Sequence, residues 1–213
     1  PSTILNNSSV ANAYTSIAVN EASWAQYPFL TALDNIKKMS LGTDNFPQLV
    51  VYKGYQSQGH DSAHPNFADI NEQAGGVEDF QILTEKAAEY NTVVGVHINE
   101  TEVYPEAPQF GVLASSHPGW FWFDQANQMI RENDILDGVN VPDGNMFERL
   151  DDMDEAAGGD LGFVYVDTYF DNRWPAYTLA TTLNEHGWPM GTEYIDELSS
   201  FTVWAHHIGS EYN

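Results

Sequence analysis

Two carboxylates, Asp167 and Glu193, each lie at the end of a short apolar run of the chain. The first run covers residues 162–167 (GFVYVD) and the second covers residues 187–193 (GWPMGTE). Runs rich in β-branched and aromatic residues predict buried parallel strands, each with its acid at the carboxyl end. In a (β/α) barrel that end is the active-site face, and two acids there can flank a scissile glycosidic bond. Either acid alone could simply cap the next helix, but the two together, among several tryptophans, favour catalysis.

A second polar cluster, residues 58–64 (QGHDSAH), follows another predicted strand. Its His60, Asp61 and His64, with His97 at a further strand end, have the side chains that could ligate a divalent metal. The alternative is a set of groups that grip sugar hydroxyls, because Asp accepts and His donates or accepts hydrogen bonds. The chain has no cysteine, and the carboxylate pair already accounts for hydrolysis. We therefore expect no metal and no cofactor.

An aromatic run, residues 120–123 (WFWF), lies in what we predict to be a long loop. Aromatic faces stack on the C–H surfaces of sugar rings, so Trp120 and Trp122 in a loop near paired acids suit carbohydrate binding. The alternative is a buried core strand that carries Trp120 and Trp122 on one side.

The elements that must position these residues alternate between strands and helices. We predict strands at residues 16–19, 49–54, 93–98, 162–167 and 187–193, and helices at residues 28–39, 80–90, 146–157, from about 175 to 183, and 198–207. Alternation of this kind predicts an α/β fold with a parallel sheet. The chain supplies about five βα units where a closed barrel of the (β/α)8 TIM-barrel type has eight, so it forms either a smaller open sheet or part of a larger barrel.

Composition excludes several classes of partner. Only 7 Lys and Arg residues stand against 31 Asp and Glu residues, for a formal net charge of −24. Nucleic acids and anionic membrane surfaces select basic patches, so neither is an expected partner. No apolar stretch is long enough to cross a membrane, so we expect no membrane insertion. The 213 residues suit one domain or part of a larger one.

Residues 51–65 (VYKGYQSQGHDSAHP) strongly resemble the endo-α-N-acetylgalactosaminidases of glycoside hydrolase family 101. The resemblance runs from about residue 26 to residue 204. It continues in the same order through residues 95–99 (GVHIN), 104–107 (YPEA), 120–125 (WFWFDQ), 163–167 (FVYVD) and 192–193 (TE). The chain departs from the family pattern beside the two acids, at Thr168, Tyr169 and Tyr194.

The resemblance implies an enzyme that releases the disaccharide Galβ1-3GalNAc from Ser or Thr of mucin-type glycoproteins, with retention of configuration. It places the nucleophile on Asp167 and the general acid/base on Glu193. It also implies an extracellular or cell-surface bacterial protein with O-glycosylated glycoproteins as partners. Members of the family are longer multidomain proteins, so we expect residues 1–213 to be the central part of a catalytic barrel. An inactive, carbohydrate-binding piece of the barrel is the alternative, beside the metal-dependent hydrolase considered above.

The resemblance further predicts which side chains contact the sugar. They are Lys53, Asp61, His64 and His97, with Trp120 and Trp122 closing over the ring.

Overall fold

The computed structural model describes residues 27–57, 59, 62–64, 66–99, 120–123, 128–131, 146–167, 173–194 and 201–207. Its helices and strands alternate along the chain as the sequence predicts. In order they are α1 (Phe29–Gly42), β1 (Gln48–Tyr52), a 3-10 turn (Glu72–Ala74), α2 (Gly76–Ala87), a 3-10 turn (Ala88–Tyr90), β2 (Thr92–Asn99), β3 (Trp120–Phe123), β4 (Gln128–Arg131), α3 (Met146–Ala156), β5 (Phe163–Asp167), α4 (Arg173–Glu185), β6 (Met190–Tyr194) and β7 (Thr202–His207).

The main sheet has five strands in the order β1-β2-β5-β6-β7, and every pair of neighbours is parallel. A parallel sheet whose strands are joined through helices is the arrangement expected of a partial (β/α)8 barrel. The predicted fold class is therefore confirmed, and so are the strands predicted at residues 49–54, 93–98 and 162–167. The strand predicted at residues 187–193 is also present, as Met190–Tyr194.

The two faces of this sheet pack differently because successive side chains of a strand point to opposite sides. The outer face forms a large apolar core with the helices. That core includes Val50, Val94, Val96, Ile98, Val164, Val166 and Met190 from the strands, and Phe29, Ile36, Leu83, Leu150, Met153 and Leu183 from the helices. The inner face carries a smaller cluster, made by Leu49, Val51, Val93, Phe163 and Tyr165.

Gly95 allows the inner cluster to close. A Cβ atom built at this position would lie 2.5 Å from the ring of Phe163, closer than real Cβ contacts come. The absence of a side chain on β2 therefore makes room for an aromatic ring on β5, which stands directly opposite in the register.

Helix α3 ends where the sequence predicts. Gly158 and Gly159 follow it with φ angles of 84° and 80°, a left-handed conformation that glycine adopts without strain. Chain reversal at these glycines leads directly into β5 and so to Asp167.

The prediction of a helix over residues 198–207 is wrong. Residues 202–207 form β7, which lies parallel to β6 and pairs with it from Met190 to Tyr194. Leu198, Phe201 and Ala205 are spaced three and four apart, which suggests a helix, but Thr202 and Val203 are β-branched and favour a strand. Pairing with an available strand edge decides the outcome, so His206 and His207 belong to a strand.

The aromatic run at residues 120–123 is not a loop, and that prediction is also corrected. It forms β3, which pairs antiparallel with β4 in a separate two-stranded sheet. Strand β3 does not belong to the five-stranded main sheet either. Local sequence alone could not predict the pairing of β3 with β4, because the partner strand (QMIR) has only four residues.

The predicted strand at residues 16–19 lies outside the described residues. Within the described ranges, no helix has the length and apolar character needed to cross a membrane.

Candidate active site

Asp167 and Glu193 occupy neighbouring positions at the carboxyl edge of the sheet. Val166 on β5 pairs with Thr192 on β6, and each acid follows one residue later. Tyr165, on the inner face, pairs with Gly191, so alternation places Asp167 and Glu193 on that same face. Neighbouring strands are about 4.8 Å apart. The fold thus brings the two predicted catalytic acids to adjacent positions facing the same side.

The two carboxylates are accessible to different degrees. The side chain of Asp167 is 12% exposed, whereas Glu193 is half-buried. Both can therefore be reached from the carboxyl edge of the sheet, while the strand residues beneath them are buried. Acids that are held on a rigid strand and yet reachable suit chemistry on a bound molecule.

His97 holds the Asp167 carboxylate. Its Nε2 lies 3.2 Å from Oδ2 of Asp167, and the imidazole is completely buried. A contact at this distance holds the carboxylate against the buried imidazole and limits its orientation. A nucleophile must be oriented toward the carbon that it attacks, so the contact fits that role.

His64 backs the ring of His97. The two imidazoles are almost parallel, with ring centroids 6.4 Å apart, and the edge-to-face contact between His64 and Phe67 has a centroid distance of 5.5 Å. His64, His97 and Phe67 are all fully buried. They form a compact aromatic wall, which we call the His64–His97 wall, behind the Asp167 carboxylate.

The loop that carries His64 is folded by its own hydrogen bonds. Ser62 Oγ donates to the Gly59 carbonyl at 2.8 Å, and Asn71 Nδ2 donates to the Gly54 carbonyl at 3.3 Å. The side-chain oxygen of Asn71 also accepts from two backbone N–H groups and caps the 3-10 turn that follows. These bonds give a long loop a defined path from the end of β1 to α2.

Lys53 and His97 meet at the ring of Tyr165. Nζ of Lys53, just beyond β1, is 5.8 Å from the ring centroid, and the His97 ring is 5.6 Å from it. Tyr165 precedes Asp167 by two residues on the same face of β5. The lysine therefore brings a positive charge to the same edge as the two carboxylates, where an ammonium group can donate to hydroxyl oxygens.

Several predicted residues are thus brought together: Lys53, His64, His97, Asp167 and Glu193. Asp61 lies outside the described residues, and so does His60. The backbone of Trp120 and Trp122 is described as β3, but their contacts are not. Across the described ranges, no three side chains of the metal-ligating types form a cluster. The metal set suggested by the sequence includes His60 and Asp61, so that hypothesis remains untested.

Three residues of the site region were not foreseen. Asn99 is buried and pairs with Asp167 across β2 and β5. Tyr165 supports Lys53 and His97, and Arg149 of α3 is buried against Phe67. Asn99 follows His97 by two residues, and that spacing was a signal that it shares the inner face.

Trp188 packs with the helices in the outer core and is 7% exposed. It therefore belongs to the opposite face of the sheet from the inner-face position of Glu193.

Comparison with known proteins identifies the family of this chain. The sequence profile of the endo-alpha-N-acetylgalactosaminidase family matches residues 5–212. A protein of Renibacterium salmoninarum, provisionally named after the same enzyme, is 36% identical over 200 residues. That match covers 92% of this chain and 13% of the relative, so the chain spans only a small part of the relative's length.

Solved structures share the fold at low sequence identity. The alpha-N-acetylgalactosaminidase NagBb of Bifidobacterium bifidum, in its ligand-free form, superimposes with a TM-score of 0.70 at 16% identity, over 94% of this chain and 39% of that one. The maltogenic alpha-amylase AmyB of Thermotoga neapolitana gives a TM-score of 0.60 at 13% identity, over 91% and 48%.

Proposed function

This chain belongs to the endo-alpha-N-acetylgalactosaminidase family, and on that premise we propose that it supplies the catalytic acids of a retaining endo-glycosidase. The proposed reaction releases Galβ1-3GalNAc from Ser or Thr of mucin-type O-glycoproteins. The observation that carries this proposal is the placement of Asp167 and Glu193 at adjacent positions on one face, with His97 holding Asp167.

The reaction proceeds in two displacements. Asp167 attacks the anomeric carbon and the bond from that carbon to the glycosidic oxygen breaks, while Glu193 donates a proton to this oxygen, which leaves as the Ser or Thr hydroxyl. Glu193, now ionised, takes a proton from water, and that water releases the sugar from Asp167. Two inversions at the same carbon give overall retention.

The surrounding residues bind and orient the disaccharide. Lys53 and Asp61 offer hydrogen bonds to sugar hydroxyls, and Trp120 with Trp122 stacks on the ring. His64 is fully buried, so it acts through the wall that it forms with His97. His97 contributes by holding the nucleophile. We propose an extracellular or cell-surface location, because the proposed substrate is attached to glycoproteins and the net charge of −24 suits such a setting.

The stereochemistry of the product tests this function. The complete protein is incubated with a core 1 glycopeptide, and proton NMR follows the first anomer of the released sugar. We expect intact disaccharide that appears first as the α anomer and then mutarotates. A β anomer formed first would mean inversion, and release of galactose or GalNAc alone would mean an exo-acting enzyme.

The distance between the Asp167 and Glu193 carboxyl groups provides a second test. Retention predicts about 5 to 5.5 Å, whereas inversion needs roughly 6.5 to 9.5 Å to admit a water. A crystal structure with bound disaccharide would measure it, and a separation well beyond about 10 Å would remove the pair from the mechanism.

For the 213-residue chain by itself, binding without turnover is a second candidate. The described sheet has five strands, with β1 and β7 at its two edges, whereas a closed barrel has eight. Assaying the isolated chain beside the complete protein separates the two candidates, since only binding would persist in the chain alone.

A further inference from the structure

Arg149 occupies a core position of α3. It is 1% exposed, and its buried companions on this helix, Leu150, Met153 and Ala157 just beyond it, are apolar. Moving a guanidinium out of water costs several kcal/mol unless other groups compensate. A purely apolar side chain would fill the same volume without that cost, so packing alone does not account for an arginine here.

The guanidinium faces an aromatic ring that leads to the active site. Its Cζ lies 5.3 Å from the centroid of the Phe67 ring, which is a cation–π contact. Phe67 contacts His64, which stacks on His97, which in turn holds Asp167. Every ring in this sequence of contacts is fully buried, and close-packed interiors transmit small displacements instead of absorbing them.

The loop between β1 and α2 needs anchors of this kind. Its backbone has positive φ at Gly54, Ser57 and Gly59, so it departs from regular structure at three places. Two side chains of α3 hold it: Met153 accepts a hydrogen bond from Tyr55, and Arg149 contacts Phe67. Because α3 leads directly to β5, this helix connects the loop that carries His64 with the strand that carries Asp167.

We propose that Arg149 is a positioning residue for the nucleophile. Its guanidinium holds Phe67, and through Phe67 it holds the His64–His97 wall, so that His97 Nε2 stays within hydrogen-bond reach of Asp167. The proposal rests on the assignment of Asp167 as nucleophile. An apolar replacement keeps the volume and loses the cation, whereas lysine keeps a charge and loses the planar surface that lies against the ring.

The test compares Arg149→Met and Arg149→Lys in the complete protein, with Leu150→Ala as the control on the same helix. Steady-state kinetics with an activated aryl disaccharide separates kcat from KM, and thermal melting reports folding. We expect Arg149→Met to melt no lower than Leu150→Ala and to lose about tenfold or more in kcat, because misplacement of a reacting group slows the chemical step. KM should change little, Arg149→Lys should fall between, and Leu150→Ala should keep its kcat.

Phe67→Leu provides an independent variant that interrupts the same contacts while leaving Arg149 in place. It should reproduce the loss in kcat, and the double variant with Arg149→Met should lose no more than the larger single change, since both act through one path. If Arg149→Met does not fold, Phe67→Leu and Arg149→Lys decide the question.

The proposal would be overturned if folded Arg149→Met had the wild-type kcat. If that variant does not fold, wild-type kcat in both Phe67→Leu and Arg149→Lys would overturn it. Strictly additive losses in the double variant, or an equal kcat loss in Leu150→Ala, would overturn it as well. If Asp167→Asn is itself active, the proposed function fails. If Asp167→Asn is inactive while Arg149→Met has full kcat, only the positioning role fails.

Discussion

The two faces of the main sheet use the same strands for different purposes. On the outer face, apolar side chains meet the helices along the described strands, as Val94, Val96 and Ile98 do on β2. On the inner face, β2 instead runs from Val93 through Gly95 to His97 and Asn99. Adjacent residues of one strand therefore contribute to the packed core on one side of the sheet and to the proposed active site on the other.

The inner face also changes along its own length. Its lower part is an apolar cluster, and its carboxyl edge carries His97, Asn99, Asp167 and Glu193. Buried polar groups lower stability unless they are paired, and the contact of His97 with Asp167 is one such pairing. We infer that the outer core supplies the stability that allows the inner edge to keep polar groups at the proposed active site.

The largest expected effect is on the inner edge, from Asp167→Asn and Glu193→Gln. Each should lower turnover of a natural core 1 glycopeptide on the order of a thousandfold or more without unfolding the protein. With an activated aryl leaving group, which needs little protonation, Glu193→Gln should keep its first step while Asp167→Asn should not. Stopped-flow release of the aryl group measures this, and equal losses on both substrates would mean that the roles are misassigned.

On the outer face, the expected effect is on stability alone. Leu183→Ala should lower the free energy of unfolding by about 2 to 5 kcal/mol, because it leaves a cavity in a fully buried position. The folded fraction should keep its kcat. Chemical denaturation beside Leu41→Ala, at a position 83% exposed, provides the matched control. A large loss of kcat in folded Leu183→Ala would show that the two faces are not separable.

Two tryptophans sharpen the comparison further. Trp122→Ala should weaken disaccharide binding and slow turnover about tenfold or more with little change in melting temperature, if the ring stacks on the sugar. Trp188→Ala in the outer core should do the opposite and cost about 3 to 5 kcal/mol of stability. Calorimetric binding and thermal melting of both variants decide the matter. A collapse in melting for Trp122→Ala with normal binding would make it a core residue.

The smallest expected effect lies outside both faces, at Asp154 of α3. Desolvation raises the pKa of its carboxyl group despite a hydrogen bond from the Leu161 N–H, and repulsion by Asp160 and Asp151 adds to it. The folded state therefore binds this proton more tightly than the unfolded state does. Stability is then lost as pH rises from the ordinary carboxyl range through the raised pKa of Asp154.

Asp154→Asn should remove that loss of stability, and its amide oxygen can still accept the hydrogen bond from the Leu161 N–H. We expect a higher melting temperature at neutral pH and no difference from wild type below about pH 4. The exposed Asp152→Asn, on the same helix, controls for the removal of one negative charge from a protein of net charge −24. Equal gains in the two variants would attribute the effect to net charge.

The parts that the sequence predicts are those with a local cause. Apolar runs predicted the strands that carry Asp167 and Glu193, and paired glycines predicted the end of α3. Strand β7 was missed because its spacing also fits a helix, and only its pairing with β6 distinguishes the two. Residues 120–123 were predicted as a loop, with a core strand as the alternative, because their partner strand β4 has only four residues and gives little signal of its own.

Arg149 could not have been foreseen, because an arginine among acidic residues on a helix normally faces solvent. Its burial depends on Phe67, which is 82 positions earlier in the chain. Asn99, in contrast, follows His97 by two residues on the same strand, and that spacing places it on the inner face beside Asp167.

The most direct test of the catalytic pair is to trap the sugar on the protein. In Glu193→Gln, an activated aryl disaccharide should still transfer its sugar to Asp167, but no general base remains to activate the water that removes it. Mass spectrometry of the digested protein should then find the disaccharide on the peptide that contains Asp167. A sugar attached to a different residue, or aryl release at the wild-type rate with no attached sugar, would contradict the assignment of Asp167 as nucleophile.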